Sequence, residues 1–153
     1  MQLLDRYSLE ILREFQRDSR VTMNELSERV GLSATPCWRR VKDLEQQGVI
    51  RRWTVLVDRQ KVGLSACFLS HVTLSRHSTT AVEEFEAAVS SYPEVIECYS
   101  ATGDADYVLK IVMADIAAYD AFLQSKLLKL SAIATVRTMV VLREIKYETA
   151  LPV

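Results

Sequence analysis

The sequence is poor in the residues that build metal sites and disulfide frameworks. It has only 3 cysteines, Cys37, Cys67 and Cys98, and only 2 histidines. An odd number of cysteines with no C-x-x-C pair argues against both a disulfide framework and a zinc site. We therefore expect reduced, mostly buried thiols, no bound metal and no cofactor.

Long apolar runs are also absent. No stretch approaches the roughly eighteen consecutive apolar residues that a membrane-spanning helix needs. The beginning of the sequence carries Asp5 and Glu10, where a secretion signal would be apolar. These features predict a cytoplasmic protein with no membrane segment.

Neither sign of charge dominates the composition. The 153 residues include 19 Lys and Arg against 20 Asp and Glu, which excludes a uniformly basic nucleic-acid coat and an acidic disordered tail. The distribution is uneven, however. Residues 1–63 carry 12 basic and 9 acidic side chains, a net charge of +3, whereas residues 64–153 carry 7 and 11, a net charge of -4. The basic first part suggests a polyanionic partner.

Glycine is scarce, and each of the 4 glycines falls at a break in the hydrophobic pattern. In the first part, the pattern predicts three helices. The first begins after Asp5, and the second begins with a capping box formed by Thr22 and Glu25. The third begins after Ser33 and ends at Gly48. A helix, a short helix and a longer capped helix make a helix-turn-helix.

The periodicity changes after the third helix. Residues 49–57 are β-branched and aromatic and predict a strand that ends near Asp58, followed by a short polar linker. The remaining pattern predicts strands at 67–75, 95–102, 106–113 and 135–147, with a helix at 80–91 and another capped by Asp115. This βαββαβ order is the split ferredoxin-like arrangement. Because two helices cover only one sheet face, we expect a partner subunit on the other.

The predicted third helix has a buried stripe and a polar stripe. Cys37, Val41 and Leu44 recur at helical spacing and predict the buried side. The opposite side carries Thr35, Trp38, Arg39, Lys42 and Gln46, with Arg40 nearer the core edge. A solvated basic face would explain this stripe equally well. The exposed Trp38 and the basic pair Arg51 and Arg52 favour a helix that enters the DNA major groove.

The residues that carry a family resemblance lie in both parts of the sequence. They are 24–33, 35–42, 44–45 and 48–50 in the first part, and 103–110, 145–147 and 151–152 in the second. These stretches resemble the Lrp/AsnC family of feast/famine regulators in order and across essentially the whole sequence. The sequence departs from the family pattern at Tyr7-Ser8, where a second Asp is common, and at Trp38, where a smaller aliphatic residue is common. Operator preference therefore cannot be transferred.

The resemblance implies an α+β fold: a winged helix-turn-helix at 1–63, then a ferredoxin-like effector and oligomerisation domain at 64–153. It implies a regulator that binds a double-stranded DNA operator and forms homodimers that assemble further, to octamers. It also implies an amino-acid effector bound between dimers near the glycine hairpin. The predicted DNA-binding residues are Thr22, Ser33, Thr35, Pro36, Trp38, Arg39, Arg40, Lys42, Arg51 and Arg52.

The chemistry of a free amino acid indicates what an effector site needs: donors for the carboxylate, acceptors for the ammonium group and an apolar wall. The turn at Gly103 offers backbone N–H groups, and Asp104 and Asp106 offer carboxylates. A tight hairpin with a self-bonding Asp is the alternative interpretation. The predicted effector-binding residues are Tyr99, Ser100, Thr102, Gly103, Asp104, Asp106, Met139 and Val140.

Two other functions are compatible with parts of the sequence pattern. Ferredoxin-like folds also host small enzymes, with His71 or His77 as a base, but no nucleophile–base motif, metal pattern or phosphate loop accompanies either histidine. We therefore predict no catalytic residues. The second rival is an effector-binding module without DNA-binding activity, and the basic residues of the first part argue against it.

Overall fold

The computed structural model describes residues 4–75 and 78–153, so His77 lies outside the described residues. The described chain forms two compact units. The first extends to Leu56 and includes Lys146–Val153, and the second is Val57–Ile145. The division falls between residues 56 and 57, whereas the sequence suggested a domain boundary between 63 and 64. The last residues of the chain lie with the first unit because they pair with its first helix, where Gln16 exchanges two hydrogen bonds with the backbone of Leu151.

Three helices form the first unit: α1 (Arg6–Arg17), α2 (Met23–Arg29) and α3 (Ala34–Gln46). Asp5 caps α1 by accepting a hydrogen bond from the Ser8 backbone N–H at 2.9 Å. The capping box of Thr22 and Glu25 is present at α2. Ser33 occupies the N-cap position of α3 as predicted, but its side chain makes no capping hydrogen bond. The helix-turn-helix is therefore confirmed.

The three helices share one small core. It consists of Ile11, Leu26, Val30, Cys37, Val41 and Leu44. The predicted buried stripe of α3 supplies half of this core, which fixes the side of α3 that faces outward. Gly31 follows α2 and Gly48 follows α3, with φ angles of 68° and 70°. These angles lie in the left-handed region, which residues with a side chain rarely adopt.

The second unit is a four-stranded antiparallel sheet with two helices. Its elements are β1 (Ala66–Leu74), α4 (Thr79–Ser91), β2 (Val95–Ser100), β3 (Tyr107–Met113), α5 (Ile116–Ser125), a 3-10 turn (Leu127–Lys129) and β4 (Ile133–Val140). The strand order is β2-β3-β1-β4, which confirms the split βαββαβ arrangement. The core includes Phe68, Val72, Phe85, Leu109 and Ile111.

Two predicted strands differ from the structure. Residues 51–57 form no strand, and Val55, Leu56 and Val57 are 78%, 65% and 63% exposed. Their composition suits a strand, but a ladder needs a neighbour, and no other described part of this single chain pairs with them. The last strand was predicted at 135–147 but ends at Val140. Its ladder partner β1 begins at Ala66, so the residues after 141 have no neighbouring strand.

Among residues 4–75 and 78–153, no helix combines the length and the apolar composition needed to cross a bilayer.

Candidate functional site

The outward side of α3 matches the side that the periodicity predicted. Thr35, Pro36, Trp38 and Arg39 are exposed, and Trp38 keeps 52% of its surface accessible. Within the described residues, Arg39 has no ion pair, so its guanidinium is available to a ligand. A shallow groove of about 420 Å³ follows this side and is lined by Thr35, Pro36, Arg39, Arg40 and Asp43.

Arg40 has different surroundings from Arg39. Its guanidinium forms an ion pair with Asp5, the residue that caps α1, and lies 5.4 Å from the centre of the Tyr7 ring. The hydrogen bonds from Ser8, together with this guanidinium, hold the pKa of Asp5 below its ordinary value. Arg40 therefore links α3 to the beginning of α1, which agrees with its predicted place near the core edge.

Lys42 is also engaged within the protein. Its Nζ lies 2.7 Å from Oε2 of Glu45, one turn later on α3. The other oxygen of Glu45 accepts a hydrogen bond from Nε1 of Trp53 at 2.9 Å. The Trp53 ring packs edge-on against Phe15 of α1, with centroids 4.8 Å apart. Sequence reasoning missed Glu45 and Trp53, although the spacing of Lys42 and Glu45 signals a helical pair.

The remaining predicted DNA-binding residues divide into two groups. The hydroxyl of Thr22 is used in the cap of α2, where it contacts Glu25 twice. Ser33, Arg51 and Arg52 are exposed, and in the described part of the chain none of the three has an ion pair or a side-chain hydrogen bond. Among the predicted DNA-binding residues, the exposed arginines without an ion pair to a described residue are therefore Arg39, Arg51 and Arg52.

The predicted effector hairpin joins β2 and β3. Gly103 has a φ of 122°, a conformation that L side chains rarely adopt. Ser100, Thr102 and Asp104 are exposed around it. The hairpin closes through a hydrogen bond of 3.0 Å from the Ala101 N–H to the Asp106 carbonyl.

Asp106 points to β1 and away from the open turn. Its Oδ2 accepts a hydrogen bond of 2.8 Å from the Leu74 backbone N–H, and its own N–H donates to the Val72 carbonyl at 3.0 Å. The register of β1 against β4 shifts between Thr73 and Leu74, so this carboxylate satisfies a backbone group at a strand irregularity. This contact differs from the alternative interpretation, a tight hairpin with a self-bonding Asp, because the partner of Oδ2 is the backbone of the neighbouring strand β1.

The predicted apolar wall of the effector site is divided between the two edges of the sheet. Tyr99 lies on β2 and Met139 on β4, and two strands lie between them. With adjacent strands about 4.8 Å apart, the separation is about 14 Å. Val140 is paired with Phe68 of β1 in the ladder. The Phe68 ring stacks on Tyr119 of α5, on the helix side of the sheet. Local periodicity does not show how many strands separate two residues, so the sequence alone did not separate Tyr99 from Met139.

The sheet face opposite the helices carries more charge than expected. Glu97 lies 3.2 Å from Lys110 and accepts a hydrogen bond from the Tyr99 hydroxyl at 3.1 Å. His71 lies in β1, as predicted, and Arg137 stands opposite it on β4. These polar residues alternate with apolar ones such as Leu69 and Met139, and they indicate an interface that is specific as well as apolar.

The thiols are all free, and Cys37 and Cys67 are buried. Cys98 is exposed, so two of the three thiols are buried, in agreement with the expectation of mostly buried thiols. Within the described residues, no group of three His, Cys, Asp or Glu side chains could hold a metal ion.

Two family models match separate parts of the chain, and residues 146–151 fall in the second match although they lie in the first compact unit. A model described as winged helix-turn-helix DNA-binding matches residues 4–51. A model described as Lrp/AsnC ligand binding domain matches residues 67–151. The two matches together cover nearly all of the described chain.

Curated relatives and solved structures are similar over almost the full length. A leucine-responsive regulatory protein from Salmonella typhimurium is 41% identical over 148 residues, 97% of this chain and 90% of the relative. A transcriptional regulator from Neisseria meningitidis, solved in complex with L-Met, has a TM-score of 0.93 and 37% identity, covering 98% of this chain and 97% of its own. An AsnC family transcriptional regulator from Agrobacterium tumefaciens has a TM-score of 0.93 and 42% identity, with 97% of each chain covered.

Proposed function

The chain belongs to the Lrp/AsnC family, and from this premise we propose that it is a DNA-binding transcriptional regulator whose operator binding or assembly responds to an amino acid. The single observation that carries this proposal is the presence of both family modules in one chain, at residues 4–51 and 67–151. Neither module alone would connect DNA binding with a small ligand.

The DNA-binding role rests on the outward side of α3. We infer that Arg39 reads a base edge in the major groove, since a guanidinium can bond both O6 and N7 of guanine. Arg51 and Arg52 are exposed immediately after the helix-turn-helix and would meet the phosphate backbone. Arg40 supports the site by holding α3 against α1 through Asp5.

The partners proposed for this chain include a second copy of itself. The unpaired residues 51–57 and the uncovered sheet face both expose apolar side chains that a second subunit would bury. A homodimer would present two α3 helices to successive turns of the major groove, about 34–36 Å apart. Further assembly to an octamer stays a prediction of the family resemblance.

The effector is proposed to bind at the Gly103 hairpin. The first ligands to test are L-leucine, from the name of one relative, and L-methionine, from the complex of another. The exposed Asp104 can accept a hydrogen bond from the ammonium group of the ligand. The hydroxyls of Ser100 and Thr102 and the N–H groups of the turn can donate to its carboxylate. Since Tyr99 and Met139 occupy opposite sheet edges, an apolar wall that used both would need more than one subunit. This requirement agrees with a ligand bound between dimers.

Catalysis is not part of the proposal. The similar proteins are regulators, and we infer that this chain acts in the same way, with no enzymatic step and no cofactor. We propose that it acts in the cytoplasm, together with its proposed DNA and amino-acid partners.

The most informative test is a selection of bound genomic fragments by the purified full chain, with and without a pool of amino acids. We expect recovered fragments to share a pseudo-palindromic site, and their recovery to change with the pool. Binding of the recovered duplex should weaken steeply as salt is raised, because phosphate contacts release counterions. Recovery of no preferred sequence, or binding without salt dependence, would contradict the proposal.

A further inference from the structure

Glu45 lies where α3 meets the segment after it, and each of its two carboxylate oxygens has a different partner. Oε2 pairs with Nζ of Lys42 at 2.7 Å, and Oε1 accepts from Nε1 of Trp53 at 2.9 Å. A single acidic side chain therefore connects a cation on the proposed groove-facing helix with an indole that Phe15 holds from α1.

The ion pair is poorly suited to a purely stabilising role. Its lysine precedes its glutamate along the helix, which is the less favourable order relative to the helix dipole. The Lys42 side chain is 45% exposed and that of Glu45 is 28% exposed, so solvent weakens their attraction. Helix stability alone gives little reason to place an acidic group beside a lysine on the basic stripe.

The orientation of Glu45 is fixed by Trp53. The indole N–H holds one oxygen, and the edge-on contact with Phe15 holds the ring. The second oxygen is therefore presented to Lys42 in a defined position. The lowered pKa of Glu45, caused first by Lys42 and then by Trp53, agrees with a carboxylate that stays charged between these two partners.

We propose that Glu45 is a positioning residue that keeps Lys42 out of phosphate contact on non-operator DNA and so increases discrimination for the operator. This proposal rests on the proposed function, because it requires α3 to face DNA. On a random sequence, only phosphate attraction holds the protein, and Lys42 remains paired with Glu45. On the operator, base contacts hold α3 closer, and a phosphate can replace Glu45 as the partner of Lys42.

The substitution Glu45→Gln separates the charge of Glu45 from its shape. The amide keeps an oxygen that can accept from Trp53, but it no longer pairs with the ammonium of Lys42. We expect affinity for a random-sequence duplex to rise about two- to tenfold, and the slope of log affinity against log salt to steepen by about 0.9, as for one added phosphate contact. Affinity for the operator should change less than about twofold, so the operator-to-random ratio falls.

Two further variants distinguish release of Lys42 from a general change of charge. Glu28→Gln makes the same substitution on the exposed surface of α2, where no ion pair with Glu28 is found in the described chain, and it should shift both affinities slightly and leave the slope unchanged. Adding Lys42→Ala to Glu45→Gln should abolish the gain on random DNA. Lys42→Ala alone should weaken operator binding and change random binding little.

The experiment measures fluorescence anisotropy of the full chain with two duplexes of equal length over a salt series: the duplex recovered from fragment selection and a random-sequence duplex. Thermal unfolding of each variant verifies that it is folded. If Glu45→Gln behaves like Glu28→Gln, or if the gain survives Lys42→Ala, the inference is overturned while the proposed function stands. If the wild type binds neither duplex, the proposed function fails and the inference with it.

Discussion

Arg39 and Arg40 are neighbours in sequence, but the folded chain gives them different surroundings. Arg39 is exposed without an ion pair to any described residue, whereas Arg40 is paired with the cap of α1. Residue type alone therefore does not identify a DNA contact. What decides is the partner that the folded chain supplies.

The first prediction concerns this pair. If Arg39 reads a base edge, Arg39→Ala should weaken operator binding by about 1–3 kcal/mol and relax the preference at one base position. Arg40→Ala should lower the thermal stability of the first unit, because α3 loses its link to Asp5. Anisotropy titrations on single-base operator variants and thermal unfolding measure the two effects. Arg6→Ala, on α1, serves as the control, and an equal loss of operator affinity in Arg6→Ala and Arg39→Ala would refute the assignment.

The second prediction concerns Tyr107, a buried tyrosine. Its hydroxyl donates to Oε1 of Glu86 at 2.8 Å, and burial together with Glu86 raises the pKa of Tyr107 from 10.0 to about 12. Between these values the unfolded chain loses the proton while the folded chain keeps it. The free energy of unfolding should therefore fall as pH rises, with Tyr107 contributing at most about 1.4 kcal/mol per pH unit.

Urea unfolding of wild type and Tyr107→Phe across this pH range tests the assignment. The variant should lose stability with pH less steeply than the wild type, because it has no proton to release at this position. Tyr7→Phe, a substitution in the other unit, should keep the wild-type slope. Equal slopes for all three proteins would show that Tyr107 does not carry the effect.

At the scale of elements, the hairpin between β2 and β3 contains two aspartates with separate roles. Asp106 satisfies the backbone of β1 at the register shift, whereas Asp104 is exposed in the turn. We expect Asp106→Ala to lower the free energy of unfolding by about 1–3 kcal/mol, because the Leu74 N–H loses its charged acceptor. Asp104→Ala should change it by less than about 0.5 kcal/mol. Urea unfolding of the two variants measures the difference, and equal effects would contradict the structural role of Asp106.

The predictability of each element depended on whether its partners are local. The helices of the first unit were predicted because their caps and buried stripes are encoded within a few residues, as at Asp5 and Thr22. The end of β4 was not, because it is set by where β1 begins. The site followed the same rule: the exposed side of α3 was predicted, whereas the engagement of Lys42 by Glu45 and the separation of Tyr99 from Met139 depend on tertiary contacts.

At the scale of the whole molecule, residues 51–57 are the clearest sign of association. The segment exposes the apolar side chains of Trp53, Val55, Leu56 and Val57. Its backbone has no ladder partner in the described chain, and a second copy could provide one. We expect sedimentation at micromolar concentration to show a dimer or larger species. Leu56→Glu should shift the protein towards smaller species, because it places a charge in the proposed interface.

Ile116 provides a matched control for this test. It is 63% exposed, close to the 65% of Leu56, but it lies at the start of α5 and outside the unpaired segment. Ile116→Glu should therefore leave the mass distribution unchanged. A wild type that sediments as a monomer, or equal effects of the two substitutions, would contradict association through residues 51–57.

Regulation requires that binding of the ligand changes the affinity for DNA. A ligand that binds at the Gly103 hairpin is proposed to influence α3 by favouring one arrangement of subunits over another. Such coupling is typically about 1–3 kcal/mol and is reciprocal, so the operator must change amino-acid affinity by the same factor.

The measurement that tests the central claim most directly is a titration of the full chain with its selected operator, with and without L-leucine and L-methionine, matched by calorimetric titration of the same amino acids with and without operator. The account predicts operator binding that is sequence-dependent and steeply salt-dependent, with at least one amino acid changing it by a factor that reappears in the reverse experiment. Operator affinity that neither amino acid changes, or a change without its reciprocal counterpart, would contradict an amino-acid-responsive regulator.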